Sequence, residues 1–443
     1  MQLPEEFSWV DRSDSVFSET IDRITDFDDN LCIIGPAGVG KSLLIKIASK
    51  CLKGNVALCS TTGISAVALA SDGVKSSTLH SLLRLKPLPY YPANLIVRDL
   101  AVQPVVGAID TLIIDECSML SSHIYDTIFH LLVLYTGAVS KLPRIILFSD
   151  ILQLPPVVNA DDEYTSKMYK QEYNNKIMFF NSHFFKDTDF KIIHLTKLQR
   201  QKDEHFQGIL NRIRLQEQTQ LDLDELNEYV YSLERFNKEK DMYIYLGATN
   251  KVVESVNTNY YNLFEGEATT YTSVIKDQYD DKLINPMDRI IRLKPNMQIM
   301  CTKNNKEFNY QNGSLGKVIQ CLPDGVEVEL KNGYRTKVQI TKTANYKLKK
   351  NEKDELEYNE IGSLSKLDCR ASKAISVHKS QGSTLDCAFI DVGSYQYCDS
   401  LVYVALSRLK TIDGIGLKKP LKMTDIRANK ESLEFLETIW KLE

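Results

Sequence analysis

The residues best suited to chemistry stand together near the start of the chain: Gly35, Pro36, Ala37, Gly38, Val39, Gly40, Lys41 and Ser42. They fill every fixed position of the pattern G-x-x-x-x-G-K-[ST]. In such a loop the glycines let main-chain N–H groups wrap phosphate oxygens at the start of a helix, where the dipole favours an anion. Lys41 would reach the outer phosphates and the Ser42 hydroxyl would hold Mg²⁺, so a nucleoside triphosphate with Mg²⁺ is the expected ligand. Further on, LIIDECSML sets Asp115 and Glu116 behind an apolar run. An acidic pair there completes a hydrolysis site, with Asp115 as a second Mg²⁺ ligand and Glu116 orienting or deprotonating the attacking water. The run IILFSDILQLPPV carries Asp150 and Gln153. A carboxamide makes directed hydrogen bonds without adding charge, so Gln153 can link the γ-phosphate to whatever moves when it leaves.

Groups of this kind need a rigid edge to stand on. Residues 31–34, 56–59, 111–114 and 144–148 are short, apolar and rich in branched side chains, and each ends in small or acidic residues. This pattern predicts parallel strands buried on both faces, with the site at their carboxyl ends. Behind the phosphate loop, Leu43, Leu44, Ile47, Ala48, Cys51 and Leu52 recur at helical spacing. A second α/β domain is expected from about residue 188, with strands at 242–246 and 387–392. Between those strands the sequence alternates over 297–302, 316–321, 326–330 and 335–340, punctuated by Asn312-Gly313, Asp324-Gly325 and Asn332-Gly333. Such turn signals predict a small β-barrel inserted at about 275–365. Its segment 331–353 carries Lys331, Arg335, Lys337, Lys342, Lys347, Lys349, Lys350 and Lys353 against Glu352. Two readings stay open there, a solvated basic loop and a contact with a phosphate backbone.

Composition excludes several classes. With 43% hydrophobic and 25% charged residues over 443 positions, the chain reads as folded, with room for two or three domains. The start MQLPEEFSWV is acidic, where a targeting segment would be basic, and no apolar run reaches membrane length. A cytoplasmic or nuclear location away from membranes is therefore expected. Nine cysteines are scattered without a Cys-x-x-Cys pair, which argues against both a zinc site and a disulfide framework. The net charge of -4 gives no global nucleic-acid signal, so any such contact must be a local groove.

The motifs GPAGVGKS, STTG with STLHSLL, IIDECSML, SDILQLPPV, LQRQKDEHFQGILNRIR, VHKSQGSTLD and YVALSR follow one another in the order seen in a known family. The chain resembles the petite integration frequency family of superfamily 1B DNA helicases, which is related to RecD-like helicases. That resemblance implies two tandem RecA-like P-loop domains, at 1–187 and 188–443, with a wedge insert at about 81–107 in the first and the β-barrel insert in the second. ATP would be hydrolysed in the cleft between them. Arg200 matches the family's motif IV arginine and Arg408 its motif VI arginine; both would act as fingers on the γ-phosphate. Gln381 and Gly382 match the segment between nucleotide and DNA, with His378, Lys379 and Ser380 toward the strand. Thr61, Thr62 and Gly63 match motif Ia, and Thr78 and His80 the adjoining element, as sugar–phosphate contacts. Tyr90 or Tyr91 could stack on a base within the wedge.

The implied activity is ATP-dependent, 5′-to-3′ translocation on single-stranded DNA with unwinding of forked duplex, in replication, recombination or repair. The chain would work as a monomeric motor core. Two alternatives stand beside it: a RecD-like motor subunit of a nuclease complex, and a nucleotide-gated remodelling module without unwinding. The chain departs from the family pattern in three places. The stretch SDSVFSETIDRI lacks the glutamine that reads the adenine edge, with Ser18 and Glu19 near its place. Ser149 replaces a glycine, and Ile151 and Leu152 replace two aromatics.

Overall fold

Five residues of strand β1, Asn30–Ile34, are followed by the phosphate loop and a helix over Lys41–Cys51. Next come β2 (Val56–Ser60), β3 (Ser77–Thr78), β4 (Thr111–Asp115), β5 (Arg144–Ser149) and β6 (Phe190–His194). The computed structural model describes residues 3–61, 76–85, 102–158, 162–197, 203–239, 242–277, 289–303, 305, 307–310, 313–350, 356–371, 373–393 and 398–441. Among these residues the six strands form one parallel sheet in the order β3-β2-β4-β5-β1-β6. Leu31, Cys32, Ile33 and Ile34 are all fully buried, as a strand covered on both faces demands. One face is closed by the helix Lys41–Cys51, through Leu44, Ile47 and Ala48, and by the helix Ser15–Asp26, through Phe17, Ile21 and Ile24. Arg144 locks that second helix to the sheet edge. Its guanidinium donates at 2.8 Å to the carbonyls of Arg23 and Ile24, which the helix end leaves without partners, and at 2.9 Å to that of Asp29 just beyond the helix.

The chain divides into two units, residues 1–200 with 346–359 and 429–443, and residues 201–345 with 360–428. The boundary expected at 187/188 therefore moves. β6 pairs in parallel with β1, Asn30 opposite Phe190 through Ile34 opposite His194, so the first sheet ends later than its motifs do. The last residues also return to the first unit. In the helix Lys430–Trp440, Glu431 accepts from the amides of Ile177 and Met178 and from Asn181 Nδ2, at 2.7 to 3.2 Å. Phe435 stacks on Phe180 with ring centroids 4.2 Å apart, a pairing worth about 0.5–1.5 kcal/mol beyond the area it buries.

The second unit begins its own sheet with β7 (Ile244–Gly247), then leaves it for a long insertion. That insertion holds β8 (Thr269–Thr272), β9 (Val274–Asp277), β10 (Ile290–Leu293), β11 (Gln298–Cys301), β12 (Leu315–Leu322), β13 (Gly325–Leu330), β14 (Arg335–Lys350), β15 (Leu356–Leu367) and β16 (Cys369–Arg370). Seven of them form a sheet ordered β16-β11-β12-β13-β14-β15-β9, antiparallel wherever the register is described, around Ile299, Val318, Val326, Val328 and Val338. The turns lie where the sequence marks them: Leu322 opposes Gly325, and Gly333 takes φ +81° between β13 and β14. The chain then resumes β17 (Ala374–Ser376), β18 (Ala388–Asp391) and β19 (Ile415–Leu417), giving the parallel order β17-β7-β18-β19. Of the wedge segment, a helix over Leu79–Leu83 and another over Gln103–Val106 are described; Tyr90 and Tyr91 lie outside the described residues.

Candidate active site

Four strand ends of the first sheet stand side by side: β2 delivers Thr61, β4 delivers Asp115 and Glu116, β5 delivers Asp150 and Gln153, and β1 delivers the loop Gly35–Ser42. The loop needs its glycines for different reasons. Gly38 and Gly40 take φ of +90° and +93°, a region L side chains avoid. At Gly35 a Cβ would meet the Leu195 carbonyl oxygen at 2.5 Å, and its amide donates to Ser149 O at 3.1 Å. Gly40 is the N-cap of the helix Lys41–Cys51 and offers no side chain to cap it. A helix start of this kind suits an anion. Lys41 Nζ donates to the carbonyls of Gly35 and Pro36 at 2.7 and 2.8 Å, which holds its ammonium over the loop. Ser42 is exposed on the first turn, its hydroxyl open to a ligand.

Asp115 is partly buried, and desolvation followed by the neighbouring Glu116 charge pushes its carboxyl well above the usual range, against the opposing pull of the Glu116 amide and Lys41. A carboxylate made uncomfortable in this way gains from a divalent cation, so the donor set Ser42 and Asp115 fits Mg²⁺. Glu116 adopts φ +55° and ψ +42°, which costs a side-chain-bearing residue roughly 1 kcal/mol or more. Its amide donates to Asp115 Oδ1 at 2.9 Å, and its carbonyl accepts from Thr61 Oγ1 at 3.0 Å. Asp150 and Gln153 are both buried, and Gln153 Nε2 donates to Asp150 Oδ2 at 3.1 Å. That bond fixes the carboxamide at the end of β5.

The softer candidates divide. Thr61 is spent on Glu116, a link that no spacing rule reveals because its two residues lie on different strands. Thr78 is buried and caps the helix Leu79–Leu83 through Ser81 N at 3.1 Å. His80 follows it, and burial pushes its imidazole below the ordinary value. Thr62, Gly63 and Arg200 lie outside the described residues. In the second unit, His378, Lys379 and Ser380 form one short turn after β17. Ser380 is fully buried and donates to Val377 O at 2.7 Å, so its hydroxyl faces inward. Burial lowers the His378 value as well, which leaves both imidazoles neutral at pH 7. Gln381 ends the turn, and Gly382 takes φ +75° in open space. Arg408 is buried, its guanidinium donating to Val404 O at 3.1 Å and Ser407 Oγ at 2.9 Å. Ser18 and Glu19, where the adenine-reading glutamine is missing, are engaged by Arg12 and Arg23.

The model of an AAA domain family matches residues 18–169, the segment that holds the loop and the acidic pair. A structure of Bacteroides sp Pif1 in complex with ADP-AlF4 superposes with a TM-score of 0.86 at 28% identity, covering 98% of both chains. The ATP-dependent DNA helicase Pif1 of Campylobacter jejuni is 26% identical, over 86% of this chain and 86% of its own. Over nearly its whole length the chain is similar to Pif1-type helicases. A further Bacteroides Pif1 structure, in complex with ADP-AlF3 and ssDNA, matches with a TM-score of 0.67 at 28% identity, covering all of this chain and 98% of that one. The similarity takes in the whole of the site's plan, a phosphate loop and an acidic pair on strand ends of one parallel sheet. No helix among the described residues is long and apolar enough to cross a membrane.

Proposed function

We propose that this chain is an ATP-dependent DNA helicase that moves 5′ to 3′ along single-stranded DNA and opens forked duplex. The observation that carries the reading is the convergence of Lys41, Asp115, Glu116 and Gln153 on one sheet edge, in a chain that matches Pif1 proteins over nearly its whole length. The loop Gly35–Ser42 binds the phosphates of ATP. Ser42 and Asp115 would hold Mg²⁺, which when bound supplies positive charge to the phosphate oxygens. Glu116 orients the attacking water and takes its proton, while Gln153 senses departure of the γ-phosphate. Arg200 and Arg408 supply positive charge to the transferred phosphoryl group. Gln381 and Gly382 couple the nucleotide to the strand, which Thr62, Gly63, His378 and Lys379 contact. The antiparallel insertion is the barrel of the second domain, and the segment at about 81–107 is the wedge of the first.

An unwinding assay with ATP on 5′-tailed and 3′-tailed duplexes tests activity and polarity together. Opening of the 5′-tailed substrate alone is expected, with loss of both unwinding and ATP hydrolysis in Lys41→Ala. Opening of only the 3′-tailed substrate would overturn the direction. ATP hydrolysis that DNA does not stimulate would point to a remodelling module instead.

A further inference from the structure

The left-handed backbone of Glu116 is held from outside its own strand. Parallel pairing sets Ser60 opposite Asp115, so the next residue of each chain, Thr61 and Glu116, leaves the sheet together. Thr61 Oγ1 donates to the Glu116 carbonyl at 3.0 Å, and Met119 N donates to the same oxygen at 3.2 Å. On the other side of the peptide, the Glu116 amide is taken by Asp115 Oδ1 at 2.9 Å. Glu116 is thus fixed at both its N–H and its C=O while φ stands at +55°. A strained residue persists only where its surroundings over-determine it, and Thr61 brings such a constraint from the end of the neighbouring strand.

We propose that Thr61 is a positioning residue for Glu116 rather than a contact to nucleic acid. Its hydroxyl aims the Glu116 carboxylate by holding the peptide behind it. The inference rests on the proposed ATPase reading, since it assigns Glu116 to the attacking water. Three features make Thr61 suited to the task. Its side chain is short and restricted at χ1, so the hydroxyl has few directions open to it. It stands at a strand end, where the backbone below it is fixed by the ladder to β4. The bond it makes is to a main-chain oxygen, so it constrains the orientation of Glu116 without altering its charge or touching its carboxylate.

The test is a set of steady-state ATPase measurements on Thr61→Val and Thr61→Ser, with ssDNA affinity measured alongside by fluorescence anisotropy. Valine keeps the shape and removes the donor; serine keeps the donor. Thr61→Val is expected to lower kcat at saturating ssDNA by about tenfold to a hundredfold, the scale of a misplaced catalytic group. KM for ATP and the Kd for ssDNA stay within about twofold, because neither ligand loses a contact. Thr61→Ser recovers most of the rate. The proposal fails if Thr61→Val weakens ssDNA binding while kcat at saturation is unchanged, which is the signature of a strand contact. It fails equally if valine and serine behave alike. Absence of DNA-stimulated ATP hydrolysis in the unmodified chain would overturn the proposed function itself, and that is read first, before any variant.

Discussion

The two parallel sheets of this molecule end in opposite ways. At the carboxyl edge of the first, Gly38, Gly40 and Glu116 all sit at positive φ, Asp115 is destabilised as an anion, and the buried hydroxyls of Ser60, Ser118 and Ser149 find no hydrogen-bond partner among the described residues. The second unit has positive φ too, at Gly382, Gly393 and Ser400, but the charged groups at the corresponding edge of its sheet are paired. There Asp391 accepts from Tyr245 Oη, Lys418 Nζ and the Gly393 amide, Ser380 donates to Val377 O, and Arg408 is tied to its own helix. Strain and unmet polar groups cost stability and are kept where chemistry uses them, whereas satisfied networks give stiffness. On the proposed reading, bond breaking falls to the first edge, while the second holds Arg408 in a satisfied frame.

The largest expected effect falls on the first edge. Lys41→Ala removes the cation held over the loop and should lower ATP turnover by about 10³-fold or more with little loss of thermal stability, since its bonds to the Gly35 and Pro36 carbonyls stay within the loop. Turnover like that of the unmodified chain would dissolve the site assignment. Arg408→Ala is the sharper probe of the comparison because it reaches into the quiet edge. As a finger it should cost about 10² to 10³ in turnover and leave nucleotide affinity within about tenfold, or 1.4 kcal/mol. A lower melting temperature with normal turnover would instead make Arg408 a support like its neighbours.

Much of the first edge was legible in sequence because its chemistry is local. The phosphate loop needs neighbours in the chain, and Asp115-Glu116 and Gln153 each close a visible apolar strand. What escaped was made by residues far apart. β6 joins the first sheet through pairing with β1, a contact that depends on sheet order and not on its own pattern, and so the boundary moved from 187/188 to 200/201. The return of Glu431 to Asn181, and of Phe435 to Phe180 beside it, spans 250 residues of chain and has no local signal. The Thr61–Glu116 bond is of the same kind. Conversely, the motifs mark Thr78 and Ser380 as strand contacts, yet local geometry uses both hydroxyls, one in a helix cap and one in a turn.

A smaller effect is expected from the network that closes the second edge. Burial opposes ionisation of Asp391, but the Lys418 ammonium and the Tyr245 hydroxyl outweigh it and hold the carboxyl below the usual range. Its folded value is thus lower than its unfolded one, near 3.9. The stabilisation is fully present above about pH 4 and is lost as pH falls through the folded value. Asp391→Asn should cost about 1–2 kcal/mol at pH 7 in urea melts, and the gap to the unmodified chain should narrow below pH 4. A gap independent of pH would show that shape, and not charge, closes this edge.

The smallest effect is expected at the basic strand β14, where the two readings of the lysines part. Segment 331–353 holds one acid of its own, Glu352, but strands bring others to it. Lys337 Nζ meets Asp324 at 2.6 Å, Arg335 meets Glu329 at 2.9 Å, and Lys342 meets Glu360 at 2.5 Å. These three cations are therefore neutralised by partners outside the segment, and each exposed pair is worth about 0–1 kcal/mol. A cation already paired gives up little on meeting a phosphate, because it must first release its acid. Lys337→Ala should accordingly leave ssDNA affinity within about twofold and the salt dependence of binding unchanged. If Lys337 instead contacts the strand, the same substitution lowers affinity and reduces the slope of log K against log salt by about one unit. That outcome would extend the working surface of the molecule from the strained edge of the first sheet to the satisfied elements of the second unit.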